Sequence, residues 1–403
     1  MSPRPVRGNA LLELEITRVA AGGDCVATAP DGRVVFVRHT LPGERVRAKV
    51  TESTKRFLRA DAVEILEPSP DRVPPRCRYA KPGRCGGCDW QHVALPAQRL
   101  LKAAATRDQL VRLGGLDPDR VADLVVEELP AVVEGNADGL HWRTRVQVAV
   151  RPDGRAGLHR HRSAAIEPVD SCPITIPEIE AAGAFRTKWP GRQRVEFVGV
   201  PGRPDVPGQR VAVDGDRPLE FAAIGRRFRV SSGGFWQVHP AAADVLAVAV
   251  VQALEPRPGE RALDLYAGAG LFSAALADAG CSLTAVESFI TAVEDARHNL
   301  TGLPVKVVAG GVEEQVATLA PGQDLVVLDP PRTGAGVDVM TTLVAAAPRR
   351  IAYVSCDAGT LARDLRAALA GGARLVGLRA FDLFPMTAHV ECLAVLAVAP
   401  PTR

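Results

Sequence analysis

The sequence predicts an α/β protein in three parts. A C-terminal domain is built on a parallel sheet, an OB-like β-barrel forms the N-terminus, and a β-rich region lies between them. Three observations carry this. After Pro240, apolar strand-like runs alternate with helical ones, the pattern of a parallel sheet covered on both faces. Residues 10–66 instead hold five short alternating runs split at turn positions. The chain, at 403 residues, is also too long for one ordinary core.

The five N-terminal runs are LLELEITRV, CVATA, RVVFVRH, RVRAKVTES and FLRADAVEIL, punctuated by Gly22-Gly23, Asp31-Gly32 and Pro42-Gly43. They suit a small closed barrel over residues 1–67, a common nucleic-acid module. Pro68, Pro70, Pro74 and Pro75 mark a linker, and a cysteine cluster follows at 77–92. From Pro96 to Leu113 the apolar spacing is helical, so residues 93–115 form a helix packed on the C-terminal domain. Residues 68–92 and 116–232 make the central region, with RVQVAV and RRFRV as strands. In the domain 233–403, ADVLAVAVVQAL and TAVEDARHNL read as helices. RALDLYAG, SLTAVES, DLVVLDPP and IAYVSC read as strands.

The formal charge of +3 is too small to argue for a nucleic-acid partner. Its distribution says more. Arg143, Arg145, Arg151, Arg155, Arg160 and Arg162, with His141, His159 and His161 beside them, have Asp153 as their one acidic neighbour. Arg76, Arg78, Lys81 and Arg84 form a second basic cluster. Either is a solvated face or a surface that tracks phosphates. The N-terminus lacks the apolar stretch of a secretory signal. No apolar run nears the roughly 18 residues that span a bilayer. The expectation is a cytoplasmic protein with no membrane contact and no evident protein partner. Its eight cysteines are then free, metal-bound or catalytic.

LDLYAGAGLFSAALA, from Leu263, is a strand, a glycine turn and a helix. Gly268 and Gly270 allow close backbone approach to a ligand at a helix N-terminus. Asp264 ends the strand, and Glu287 ends the next one 23 residues later, where an acid meets a ribose hydroxyl pair. The third glycine of the pyrophosphate fingerprint and the Walker lysine are missing, so a nucleoside without a phosphate chain fits best. These features resemble the class I S-adenosylmethionine-dependent methyltransferases, with a Rossmann-type dehydrogenase as the competing reading. In LDPPRTGAG, Asp329 ends a further strand, and Arg332 stands where methyltransferases of exocyclic amines carry an aromatic residue.

Cys356 ends the strand IAYVSC, where open α/β sheets bind ligands. A thiol beside a methyl donor suggests an acceptor atom that is not itself a nucleophile, such as C5 of a pyrimidine. Thiolate addition at C6 makes C5 nucleophilic, and a separate base must then remove the C5 proton. Glu391, in FPMTAHVECLAVL, is that base candidate, with His389 as a rival. Cys25, Cys281 and Cys392 read as core residues. SSGGFWQVHP offers Phe235 to stack on an extruded base and Gln237 to bond the cofactor. The site is expected to lower the pKa of Cys356, since a free thiol is only a few per cent ionised at neutral pH.

The barrel, CGGCDWQH, FWQV, DLYAGAG, LDPPR, YVSC and HVE together resemble, in order and over nearly the whole chain, one family. It is the RNA uracil-C5 methyltransferases that carry an N-terminal TRAM barrel and an iron–sulfur cluster. The resemblance implies Cys356 as nucleophile and Glu391 as the base. It implies Gln237, Tyr266, Glu287 and Asp329, with Gly268 and Gly270, around S-adenosylmethionine, and Phe235 stacked on a flipped uracil. The partner is a folded RNA loop, ribosomal more than transfer RNA. A cytosine-C5 methyltransferase and an inactive RNA-binding iron–sulfur protein are the alternatives. The sequence departs from the family at Asp357-Ala358, which replace its usual Asn-Pro.

Cys77, Cys85 and Cys88 sit close in sequence around Gly86-Gly87, and Cys172 is the candidate fourth ligand. Four soft ligands suit either zinc or iron–sulfur. The resemblance implies a [4Fe–4S] cluster on these four, although seven residues separate Cys77 from Cys85, where the family more often has five.

Overall fold

The computed structural model describes residues 9–131, 138–202, 211–215, 217–231 and 233–398. Residues 1–8, read above for a secretory signal, lie outside this set, as does Ser232 of the SSGGFWQVHP stretch. The first sheet holds β1 (Leu11–Glu15), β2 (Arg18–Val19), β3 (Cys25–Thr28), β4 (Val34–Arg38), β5 (Arg45–Ser53) and β6 (Phe57–Glu67), ordered β1-β5-β6-β4-β3-β2. The run LLELEITRV supplies both β1 and β2. It starts against β5 and ends against β3, which closes the sheet on itself. Alternation sets the faces. Val35, Val37, Leu58 and Ala60 fill the barrel, while Phe36, Phe57 and Arg59 point outward between them.

Trp90, from the cysteine segment, enters this barrel core and donates its indole N–H to Gly23 O at 3.0 Å. Helix α1 (Leu95–Arg112) follows, opened by Pro96 in its first turn. It packs on the C-terminal domain through Ala103 and Leu110. Residues 116–129 differ from the sequence expectation. Leu116, Val121, Leu124 and Val126 join the C-terminal core, and β7 (Val126–Glu127) adds an edge strand to its sheet. A two-residue strand carries too little periodicity to be read from sequence.

The central sheet contains β8 (Arg145–Val150), β9 (Ala156–His159), β10 (Ile166–Pro168), β11 (Arg194–Gly199) and β12 (Val211–Val213), with α2 (Pro177–Ala181) against it. A hairpin, β13 (Leu219–Ala223) and β14 (Arg226–Val230), sends Ala223 and Phe228 into the C-terminal core beside α3 (Ala242–Leu254).

In the C-terminal domain β15 (Arg261–Leu265), α4 (Leu271–Asp278), β16 (Ser282–Glu287), α5 (Ile290–Asn299), β17 (Val305–Ala309), α6 (Val312–Leu319), β18 (Leu325–Leu328), α7 (Val337–Ala345), β19 (Arg350–Ser355) and α8 (Ala358–Ala370) alternate. The strands β17-β16-β15-β18-β19 are parallel, as expected. The last pair, β20 (Arg374–Phe381) and β21 (Glu391–Ala397), departs from that pattern. β21 inserts antiparallel between β19 and β20, because a connection of nine residues turns the chain back without a crossover helix. Among the described residues no helix is long and apolar enough to cross a membrane.

Candidate active site

The antiparallel β21 matters for chemistry. Parallel strands end at one rim of the sheet, and β21 begins there. Ser355 pairs with Cys392, so Cys356, one step beyond the strand, faces the start of β21 at Glu391. The turn holding the thiol is short. Asp357 caps α8 by accepting the Thr360 N–H at 2.8 Å, and its own N–H donates to Ser355 Oγ at 3.3 Å. This is what Asp357 does in place of asparagine: its carboxylate serves the helix.

Burial is the main influence on Cys356, and the charge of Glu391 adds to it. Arg332 opposes both, and together they push the thiol up to about 11. The expectation of a lowered pKa is therefore not met. The physical reason is burial of the thiol first, and then the charges of Glu391, Asp329 and Asp357, which outweigh Arg332. Glu391 is almost wholly buried, and burial, then the charge of Asp329, hold its carboxyl well above the usual range, with Arg332 opposing. The rival base His389 is exposed and is lowered to about 4, by desolvation first and then by Arg332.

On the neighbouring strands, Gly268 N–H donates to Glu287 Oε2 at 2.9 Å and Phe289 N–H to Oε1 at 2.7 Å. One oxygen thus fastens the glycine turn and the other the start of α5. Tyr266 adopts a left-handed φ of 61°, strained for a tyrosine, and donates its hydroxyl to Glu313 at 3.3 Å. At Gly268 a Cβ would meet nothing within 4 Å, so the backbone borders open space there, whereas at Gly270 it would strike Leu300 at 2.9 Å. Asp264 is buried. Its Oδ2 accepts from Ser273 Oγ at 2.6 Å, its Oδ1 has no partner, and burial pushes it up to about 7. Burial and the charge of Asp264 also raise Asp329.

Several supports were not legible as functional in sequence. Asn299 donates to Ala269 O and Arg229 O, both at 2.9 Å, and accepts from Arg229 N–H at 2.8 Å, tying the glycine turn to β14. Asp364 accepts from Tyr353 Oη at 2.6 Å and from Ala335 N–H at 2.8 Å, holding the loop after Pro330-Pro331. Phe289, 52% exposed, is an apolar surface beside Glu287 and the end of β16. Its signal was an aromatic residue two places after a strand-ending acid.

Phe235 is 58% exposed and Gln237 is buried. Between them Trp236 packs on Phe221 and Phe228, with ring centroids 5.4 and 5.1 Å apart. Neither Phe235 nor Gln237 lines the groove onto which Cys356 opens.

The four predicted ligands Cys77, Cys85, Cys88 and Cys172 line one small cavity of the central domain, and all are free thiols. Gly86 permits it, since a Cβ there would lie 2.6 Å from the His161 backbone. Among the described residues no three His, Cys, Asp or Glu side chains converge closely enough to hold a single metal ion.

Family models describe three parts of the chain: a TRAM domain at 9–63, a methyltransferase small domain at 240–354 and a tRNA (uracil-5-)-methyltransferase at 322–398. An uncharacterized RNA methyltransferase of Streptomyces coelicolor is 48% identical over 96% of this chain and 93% of its own length. The 23S rRNA (uracil(1939)-C(5))-methyltransferase RlmD of Chromohalobacter salexigens is 33% identical over 96% of this chain and 90% of its own. The crystal structure of the Pyrococcus abyssi tRNA (uracil-54, C5)-methyltransferase with S-adenosyl-L-homocysteine superposes with a TM-score of 0.69. It covers 95% of this chain and 99% of that one at 22% identity. With its barrel, its sheet and these relatives in hand, the chain belongs to the TRAM-domain RNA uracil-C5 methyltransferases.

Proposed function

We propose that the protein methylates C5 of a uridine in a ribosomal RNA loop, with Cys356 as nucleophile and Glu391 as base. The observation that carries this is the entry of β21 at the sheet's rim, which sets a carboxyl beside a thiol. Cys356, its proton lost to solvent, adds as thiolate to C6 of the uracil, and the electron pair displaced from the C5–C6 bond makes C5 nucleophilic. S-adenosylmethionine, when bound, supplies an electrophilic methyl group. Glu391 then takes the C5 proton, and the returning pair expels the Cys356 thiolate. A carboxyl held above its usual range is a stronger base toward a carbon acid, and Arg332 can balance its charge.

Tyr266, Gly268, Gly270, Glu287 and Asp329, with Gln237, would hold the cofactor. The open space at Gly268 and the fastened carboxylate of Glu287 support this. Phe235, largely exposed, would stack on the extruded uracil. Ribosomal RNA is favoured because the relative named for a 23S rRNA uracil aligns along nearly the whole chain.

For the cysteine cavity we infer a [4Fe–4S] cluster on Cys77, Cys85, Cys88 and Cys172. These four thiolates would hold the cluster, with zinc on the same soft ligands as the alternative. Four free thiols around one cavity, the number such a cluster takes, support this reading. Its role here is to brace the 77–88 segment against Cys172. An anaerobic absorbance spectrum separates iron from zinc.

Methyl transfer from tritiated cofactor to total RNA, followed by mapping, tests the function. Label in 5-methyluridine of ribosomal RNA is expected. Label in cytidine, or on nitrogen or oxygen, overturns it.

A further inference from the structure

The groove onto which Cys356 opens has a second wall. Asp357, His389 and Cys356 form one side, and the outer face of the barrel forms the other, with Phe36, Phe57 and Arg59 upon it. Strand alternation explains why these three side chains turn away from the barrel core. It does not explain why two of them are phenylalanines. Phe36 and Phe57 lie on neighbouring parallel strands, their ring centroids 5.8 Å apart and nearly perpendicular. The Arg59 guanidinium sits over both, 5.4 and 5.3 Å from the two centroids. Asp24 at 3.0 Å and Glu52 at 3.3 Å hold Arg59 in that position. An apolar pair alone would be a small surface cluster.

The charges along the same groove argue for more. Of the acids lining it, Asp24 is engaged by Arg59, Asp108 by Arg112 at 3.2 Å, and Asp357 by the α8 cap. The buried Lys102 is engaged by Asp382. Among the described residues Arg18, Arg56 and Arg162 line the groove, are exposed, and have no carboxylate within ion-pairing distance. Arg18 and Arg56 come from the barrel and Arg162 from the central domain, so the free positive charge runs along the barrel wall and on to the central domain. Aromatic faces and unpaired arginines along one channel are what single-stranded nucleic acid requires: a surface for bases and cations for phosphates.

We propose that Phe36 and Phe57, with Arg59, form a stacking platform for an unpaired base of the RNA strand that passes Cys356. In this arrangement Arg18, Arg56 and Arg162 bind its phosphates. The base is a neighbour of the target uridine and not the target itself. This rests on the proposed function for the identity of the strand, but its test does not need catalysis.

The probes are labelled oligouridylate of about 12 nucleotides and an abasic ribose-phosphate chain of equal length. Fluorescence anisotropy on the whole protein gives the affinity ratio between them. In the Phe36→Ala/Phe57→Ala variant that ratio should fall by about 10-fold to 100-fold, with binding of the abasic chain unchanged. Phe36→Trp/Phe57→Trp should keep it. Phe36→Leu/Phe57→Leu preserves apolar bulk without an aromatic face and should lose it, which guards against a folding defect in the alanine variant. Replacing Arg18, Arg56 and Arg162 by Gln should weaken both chains alike and flatten the salt dependence by about 0.7 per arginine. An unchanged ratio in the alanine and leucine variants overturns the platform. Failure of the methyl-transfer assay with the ratio behaving as expected would instead fall on the catalytic reading.

Discussion

Lys102 and Asp382 form an ion pair of 2.5 Å with both side chains withdrawn from water, and the Lys102 ammonium also donates to Phe384 O at 3.0 Å. The pair fastens the start of the connection that leads into Glu391. Gln98, one turn earlier on α1, continues the work by accepting the Met386 N–H at 2.8 Å, and Asp89 accepts the Ala388 N–H at 3.1 Å. Lys102→Met leaves the Asp382 charge buried without its partner and should cost about 3–5 kcal/mol of stability. The double variant Lys102→Met/Asp382→Leu should recover much of that. Urea unfolding of the three proteins measures it, and equal losses in single and double variants would show that the pair itself is not the cause.

The Cys356 thiol, held near 11, should be alkylated by iodoacetamide about tenfold faster for each pH unit between 7 and 9, because thiolate is the reactive form. Arg332 favours that thiolate, so Arg332→Gln should slow the labelling about threefold to tenfold at pH 8. Peptide mass spectrometry follows Cys356 by itself. A flat profile over that range would mean that the thiol is already ionised. Cys356→Ala should abolish turnover while cofactor binding survives.

Glu391→Gln removes the carboxylate but keeps the shape of a side chain that is 3% exposed. If Glu391 takes the C5 proton, this variant still methylates yet cannot release its product. Denaturing gels of protein incubated with RNA and cofactor should then show a slow, covalently linked species, with multiple turnover reduced by about 100-fold or more, the range of general-base effects. Normal turnover without the adduct would transfer the base role elsewhere, His389 being the nearest alternative along the chain.

The positions of the candidate residues at strand ends were legible because periodicity located the ends. Cys356, Glu287 and Asp329 each follow an apolar run whose last residue faces the rim. What escaped was everything that depends on pairing between distant segments. The antiparallel order of β21 is not written in its own apolar run, yet it alone brings Glu391 to Cys356. Lys102 looks like an ordinary helical lysine until Asp382, 280 residues away, is placed against it. The direction of the Cys356 shift escaped for the same reason, since it follows first from burial in the assembled fold and then from the charge of Glu391, which β21 brings alongside.

Asn299 is a further case, an unremarked polar residue at the end of α5. Its side chain makes three hydrogen bonds, to both polar groups of the Arg229 backbone and to Ala269 O within the glycine turn. Removing it leaves three backbone groups unpaired beside the cofactor turn. Asn299→Ala should therefore cost about 1–3 kcal/mol of stability. It should also weaken S-adenosylmethionine binding by about tenfold, with kcat at saturating cofactor nearly unchanged, because a loosened turn affects binding before chemistry. Asn299→Asp keeps the acceptor for Arg229 N–H but loses both donors, and should fall between alanine and the parent. Calorimetric titration of the cofactor, beside kinetics at saturation, separates the two effects. A drop in kcat with unaltered cofactor affinity would place Asn299 in the geometry of the reacting atoms and not in the clamp beneath the turn.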